Sequence, residues 1–137
     1  MEDRVIILKA LEARGFSYAP YSNFLVGAAV LTGSGKIYTG CNVENSSYGA
    51  AVCAERVAIY KAVSEGERVI DAIAIAGAGR EFESRLPNYT PPCGICRQVI
   101  SEFADENTRI LLVKGEEDYK EFSLKELFPE GFSRNCL

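Results

Sequence analysis

Three cysteines and a glutamate carry the clearest chemical signal in the chain. They stand in Cys53-Ala54-Glu55 and, further on, in Pro92-Cys93-Gly94-Ile95-Cys96. A Cys-x-x-Cys pair alone fits a redox couple, half of a structural metal site or half of a catalytic one. A third cysteine two residues before a glutamate narrows that choice. Three thiolates with one open position form a catalytic zinc geometry, whereas a structural zinc is closed by four protein ligands. Thiolates also favour zinc over harder cations. Three thiolates leave excess negative charge around Zn²⁺, and two features of the sequence offset it. Cys53, Cys93 and Cys96 fall at expected helix N-termini, where the dipole and free N–H groups favour anions. Arg56 and Arg97 adjoin the ligands and offer donors to their sulfurs. Water on such a zinc ionises near neutral pH, and Glu55 is placed to collect the proton. Cys41 is a fourth thiol that would close the site. Its position before Asn42, at a strand end, reads instead as a core thiol, and Cys136 reads as an exposed thiol in the tail.

The elements that must hold these groups follow from apolar spacing. Val5, Leu8 and Leu11 predict a helix over 3–14, with Gly15 as its stop. Turn formers fill 17–23. Residues 25–32 and 36–41 read as two strands around Gly33-Ser34-Gly35, a hairpin. A polar loop over 42–49 leads to a buried helix over 53–63. Residues 69–76 predict a strand with both faces apolar, as in a sheet covered on two sides. A loop over 77–92 follows, long enough to be functional or mobile. Then come a helix over 93–103, a strand over 109–113, a short edge strand over 119–123 and a last helix over 124–128 stopped by Pro129. This order places a mixed sheet between helices, in a single domain over residues 1–137.

Composition removes other classes. Apolar residues are 47% of the chain and charged residues 25%, a globular balance that excludes disorder. Lys plus Arg is 15 against 19 for Asp plus Glu, a net charge of −4, which argues against a nucleic-acid polymer as partner. The chain has no His, so it lacks the usual general base near neutral pH and the commonest zinc ligand. Acid–base chemistry falls to carboxylate, thiol, Tyr, Lys or metal-bound water. Met1-Glu2-Asp3-Arg4 precedes only four strongly apolar residues, short of the ~7–15 of a secretory signal. The small-apolar stretches 24–31 and 72–79 fall well below the roughly 18 needed to cross a bilayer. Five cysteines, an odd number, fit a reducing compartment better than a disulfide framework. The expectation is a cytoplasmic protein without a membrane partner.

Taken with its neighbours, the cysteine pattern resembles the small, homo-oligomeric cytidine deaminase family. Cys-x-Glu followed by Pro-Cys-x-x-Cys is the signature spacing of zinc-dependent deaminases. Further motifs run in the family's order: Ala19-Pro20-Tyr21-Ser22-Asn23-Phe24, Val26-Gly27-Ala28-Ala29, Gly40-Cys41-Asn42-Val43-Glu44-Asn45, then Cys53-Ala54-Glu55-Arg56 and Pro92-Cys93-Gly94-Ile95-Cys96-Arg97-Gln98. The resemblance covers residues 19–132. It implies an α/β fold, a three-layer α/β/α sandwich with a five-stranded mixed sheet. It implies one Zn²⁺ per subunit on Cys53, Cys93 and Cys96, with Glu55 as proton shuttle. Phe24 is implied to pack near the nucleoside, Asn42 and Glu44 to hydrogen-bond the ribose, and the Ala54 backbone to contact the base. Tyr48 and Phe132 are implied to complete the pocket across a subunit boundary in a homotetramer, and Arg56 to partner the thiolates. The implied reaction is hydrolytic deamination of cytidine and 2′-deoxycytidine in pyrimidine salvage, by zinc hydroxide attacking C4.

Two features depart from the family pattern. The 77–92 loop is longer than in compact members, which bears on subunit packing and substrate access. Phe128 stands where a Leu is expected, so either Phe128 or Phe132 caps the site, and the offset from Pro129 favours Phe132. Three other readings compete with nucleoside deamination. One is a related aminohydrolase acting on a blasticidin-type antibiotic or a modified nucleoside. Another is a structural zinc or redox module using Cys41 or an oxidisable Cys93–Cys96 pair. The last is a polynucleotide editor, disfavoured by the absence of a basic, aromatic-interleaved stripe.

Overall fold

The structure, a computed structural model, describes residues 2–137; Met1, the first residue of the expected domain, lies outside them. Nine regular elements are α1 (Glu2–Ala13), β1 (Phe24–Thr32), β2 (Ile37–Cys41), α2 (Ala54–Ser64), β3 (Ile70–Gly79), α3 (Gly94–Phe103), β4 (Arg109–Gly115), β5 (Asp118–Ser123) and α4 (Leu124–Leu127). The strands form one five-stranded sheet in the order β2-β1-β3-β4-β5. Only β3 and β4 run parallel, joined by the crossover through α3, and the other pairs are antiparallel. The expected mixed sheet between helices is what forms.

Period-2 alternation along β3 builds both cores. Ala72, Ala74, Ala76 and Ala78 face α1, where Ile6, Ile7 and Ala10 cover them. Ile73 and Ile75 face the other way, against Ala54, Ala58 and Ile59 of α2 and Ile100 of α3. Small side chains on one face let α1 lie close, and large ones on the other fill the space beneath two helices. Two glycines bring the helices onto the sheet. A Cβ on Gly27 would stand 2.0 Å from the Ala10 carbonyl oxygen, and one on Gly40 would stand 2.5 Å from both Ala54 O and Ala58 N. Gly40 therefore sets the height of the α2 N-terminus above β2, and Cys53 and Glu55 ride on that N-terminus.

Most element boundaries shift by a residue or two from expectation, and the consequential differences are at the end of α1, at the end of β3 and at the start of the long loop. The α1 helix gives way to a 3-10 turn over Arg14–Phe16 that contains Gly15, so Gly15 does not act as a left-handed stop. The β3 strand runs three residues past Ala76, because Gly77, Ala78 and Gly79 pair with Val26, Leu25 and Phe24 of β1. Glycine and alanine have low strand propensity, so pairing rather than side-chain preference makes this extension. The long loop accordingly starts at Arg80, and it is fastened at several points. Buried Arg14, 3% exposed, donates to the carbonyls of Leu25, Ala78, Gly79, Phe82 and Glu83. Leu86 is buried and its N–H donates to Lys114 O at 2.7 Å. The Tyr89 hydroxyl donates to Asp118 Oδ1, and Thr90 Oγ1 donates to Gly77 O. The loop is a braced wall that delivers Cys93 to the start of α3.

Candidate active site

Two helix N-termini converge on one point. Cys53 is the N-cap residue of α2 and Cys93 that of α3, both in extended conformation and neither capping with its side chain. Their sulfurs are thus free to turn toward each other. Cys96 lies in the first turn of α3. The three Sγ atoms all lie within 4.8 Å of one another, and Cys53 Sγ stands 3.7 Å from Cys93 Sγ. A tetrahedral zinc with Zn–S arms of about 2.3 Å has S···S edges of about 3.8 Å. The spacing and the donor chemistry both fit zinc. Cys41 is not a member of this cluster, which leaves the fourth position open and counts against the closed structural site.

Electrostatics favour a cation there. Cys53 is lowered to about 5, first because the Cys96 thiol donates to it and then through Arg56 and Cys93, against the opposing effect of burial. Cys96 is correspondingly raised, since its thiol donates a hydrogen bond to the Cys53 sulfur and is buried. Arg56 Nη2 donates to Cys53 Sγ at 3.5 Å, and its Nε is buried with no partner among the described residues. Burial works against the Arg56 charge, yet the Cys53 and Cys96 sulfurs outweigh it and raise its pKa. Arg97 corrects the expectation that it would also serve the sulfurs. Its Nε donates to Pro92 O at 2.8 Å and its Nη1 to Leu127 O. It ties the turn before Cys93 to α4 instead.

Glu55 is 4% exposed and reaches the cavity above the cysteines. Burial pushes its carboxyl up to about 7, with the Cys53 charge adding to the effect and the α2 N-terminus and Arg56 opposing it. A carboxyl poised near neutrality is suited to both taking and giving a proton.

The cavity measures about 560 Å³, and Phe24, Asn42, Glu44, Tyr48, Ala54 and Glu55 all line it beside Cys53 and Cys93. Phe24 opens β1. The Asn42 amide bridges to the same strand, with Oδ1 accepting from Val26 N at 2.9 Å and Nδ2 donating to Phe24 O at 2.8 Å. One amide hydrogen and one lone pair of Asn42 stay free for a ligand. Glu44 is held below its ordinary carboxyl value, first by the Ser22 hydroxyl and, against an opposing effect of desolvation, by the Tyr21 and Ser22 N–H groups. Tyr48 is 78% exposed and meets Tyr21 edge-on at 6.0 Å. It lines the pocket of its own chain, where the expectation put it across a boundary. Phe132, 61% exposed, does not line this pocket, and its carbonyl accepts from Gln98 Nε2 at 2.7 Å. Phe128 lies over Gly131 and lines a separate cavity. Neither aromatic caps the pocket of the chain that carries it. Ser22, Thr90, Pro91 and Ile95 also line the cavity and were not foreseen. Thr90 and Pro91 had a signal in their position just before Pro92-Cys93, whereas Ser22 read only as a turn former.

A three-layer α/β/α fold with three cysteine sulfurs and a buried carboxyl at paired helix N-termini is that of the zinc-dependent deaminases. The family model for the cytidine and deoxycytidylate deaminase zinc-binding region matches residues 1–112, and the chain belongs to that family. It is 41% identical over 133 residues to a cytidine deaminase of Halalkalibacterium halodurans, covering 97% of this chain and 96% of the relative. The crystal structure of cytidine deaminase from Burkholderia pseudomallei superposes with a TM-score of 0.85 at 40% identity, over 96% of this chain and all of that one. A more distant relative is a blasticidin-S deaminase of Bacillus cereus, 32% identical over 111 residues, 80% of this chain and 78% of the relative.

Proposed function

We propose that this chain, acting as one domain over residues 1–137, is a zinc-dependent hydrolase that deaminates cytidine and 2′-deoxycytidine to uridine and 2′-deoxyuridine with release of ammonia, a step of pyrimidine salvage. The observation that carries the reading is the Glu55 carboxyl, buried in a nucleoside-sized cavity beside the Cys53, Cys93 and Cys96 sulfurs. When bound by those sulfurs, zinc supplies the Lewis acidity that makes water nucleophilic at neutral pH. The remaining work belongs to the chain. Glu55 takes the first proton that water loses and delivers it to N3 of the cytosine ring as C4 becomes tetrahedral. The carboxylate then takes the second proton, from the new C4 hydroxyl, and passes it to the amino nitrogen, which leaves as ammonia as the C4 carbonyl forms. Arg56 balances the charge of the three sulfurs. Ala54 is the first residue of α2, so its N–H has no intrahelical acceptor and is available to the base. Phe24 packs beside the base, and Asn42 and Glu44 take the ribose hydroxyl.

The assembly is a homotetramer with one zinc per subunit, in which Phe132 completes a neighbour's site. The exposure of Phe16, Tyr18, Tyr48, Ile95 and Phe132 supports burial against another copy. The five free thiols are at home in the cytoplasm, and no described helix is long and apolar enough to cross a membrane.

The test is uridine formation from cytidine by the zinc-loaded protein. Turnover is expected, with a weaker response in Glu44→Ala because the ribose contact is lost. A folded, zinc-loaded sample that leaves cytidine intact contradicts the assignment. The blasticidin-S deaminase relative makes that antibiotic the second substrate to try, and conversion of it without conversion of cytidine establishes the alternative.

A further inference from the structure

Glu44 does not hang freely in the pocket wall. Its Oε1 accepts the N–H groups of Tyr21 and Ser22 at 2.9 and 3.2 Å, and its Oε2 accepts the Ser22 hydroxyl. The same Ser22 Oγ accepts the Phe24 N–H at 3.0 Å. An ionised carboxylate offers about four acceptor sites. Loop 20–22 fills both on Oε1 and one on Oε2. The acceptor site left over therefore sits on Oε2, the oxygen that Ser22 grips. Asn42 binds the backbone of Phe24 and Val26 on the other side. Ser22, Phe24, Asn42 and Glu44 thus form one hydrogen-bonded unit, and the Ser22 hydroxyl is its joint.

We propose that Ser22 is a positioning residue that aims the unfilled acceptor site of Glu44 at a sugar hydroxyl. The proposal rests on the reading of Glu44 as the ribose contact. Ser22 acts through Glu44, so its loss is felt only by substrates that carry the hydroxyl Glu44 receives. Preorganisation of this kind adds to binding without touching the reacting atoms.

The experiment measures kcat and KM for the zinc-loaded wild type, Ser22→Ala, Ser22→Thr and Glu44→Gln. The substrates are cytidine and 2′,3′-dideoxycytidine, which has no hydroxyl at those two positions. Ser22→Ala is expected to raise KM for cytidine about tenfold, the usual worth of one hydrogen bond to a charged group. It should change kcat/KM for dideoxycytidine less than about twofold, since uniform binding that is never made cannot be lost. Ser22→Thr keeps the hydroxyl and should recover most of the cytidine KM. An equal loss on both substrates overturns the proposal, because a general structural defect does not distinguish them. A Ser22→Ala enzyme with wild-type cytidine kinetics, beside a Glu44→Gln enzyme that does discriminate, overturns it while leaving the ribose reading intact. Failure of Glu44→Gln to discriminate removes the ribose reading itself, and the proposal falls with it.

Discussion

Replacing Glu55 with Gln should stabilise the metal-free protein at alkaline pH. The carboxyl is raised from 4.5 to about 7, mainly by burial. In the unfolded chain it ionises near 4.5, so between about pH 4.5 and 7 the folded state binds more protons than the unfolded state. Stability therefore falls as pH rises through that window. At about 1.4 kcal/mol per pH unit, the accumulated cost above pH 7 is roughly 3 kcal/mol. Gln keeps the shape of the side chain and carries no charge, so it escapes this cost. Urea unfolding in the presence of a zinc chelator measures it. Glu55→Gln should exceed the wild type by about 3 kcal/mol at pH 8 and match it within about 0.5 kcal/mol at pH 4. An advantage equal at both pH values, or none at pH 8, refutes the argument that Glu55 is held in its site against its preference for ionisation.

Other perturbations test how the fold serves the site. Gly40→Ala pushes a Cβ to within 2.5 Å of Ala54 O and Ala58 N, so thermal unfolding should show a loss of about 1–3 kcal/mol and zinc analysis a weaker hold on the metal. Arg14→Met removes the donors of five carbonyls that fasten loop 80–92 to the sheet. It should lose at least about 3 kcal/mol in urea unfolding, and limited proteolysis should then cut within 80–86. Cys53→Ser and Cys96→Ser should each abolish stoichiometric zinc, while Cys41→Ser, outside the sulfur cluster, should retain it by atomic absorption.

The three-cysteine cluster and the buried Glu55 beside it are legible in the sequence because chemistry constrains both residue type and spacing at once. The sheet is equally legible where β-branched residues alternate, as at Ile73 and Ile75. It becomes illegible at Gly77-Ala78-Gly79, whose strand conformation comes from pairing with β1 and not from side chains. Arg14 follows a helical run and gives no hint of burial, since its partners are carbonyls distant in sequence. Ser22 is equally anonymous, because a serine in a turn has many local uses and only the folded loop brings it onto Glu44. The choice between Phe128 and Phe132 is not decided within one chain, because neither reaches its own pocket. Phe132 remains the exposed one, and an exposed aromatic is the one able to meet a neighbouring copy.

The most direct test of the account compares uridine formation and zinc content in the wild type and in Glu55→Gln. If Glu55 moves protons and does not hold the metal, the variant retains one zinc per chain. Its turnover of cytidine then falls by at least ~10²–10⁴-fold, the usual worth of a positioned general acid–base. Wild-type turnover in Glu55→Gln, or loss of zinc together with activity, contradicts the account.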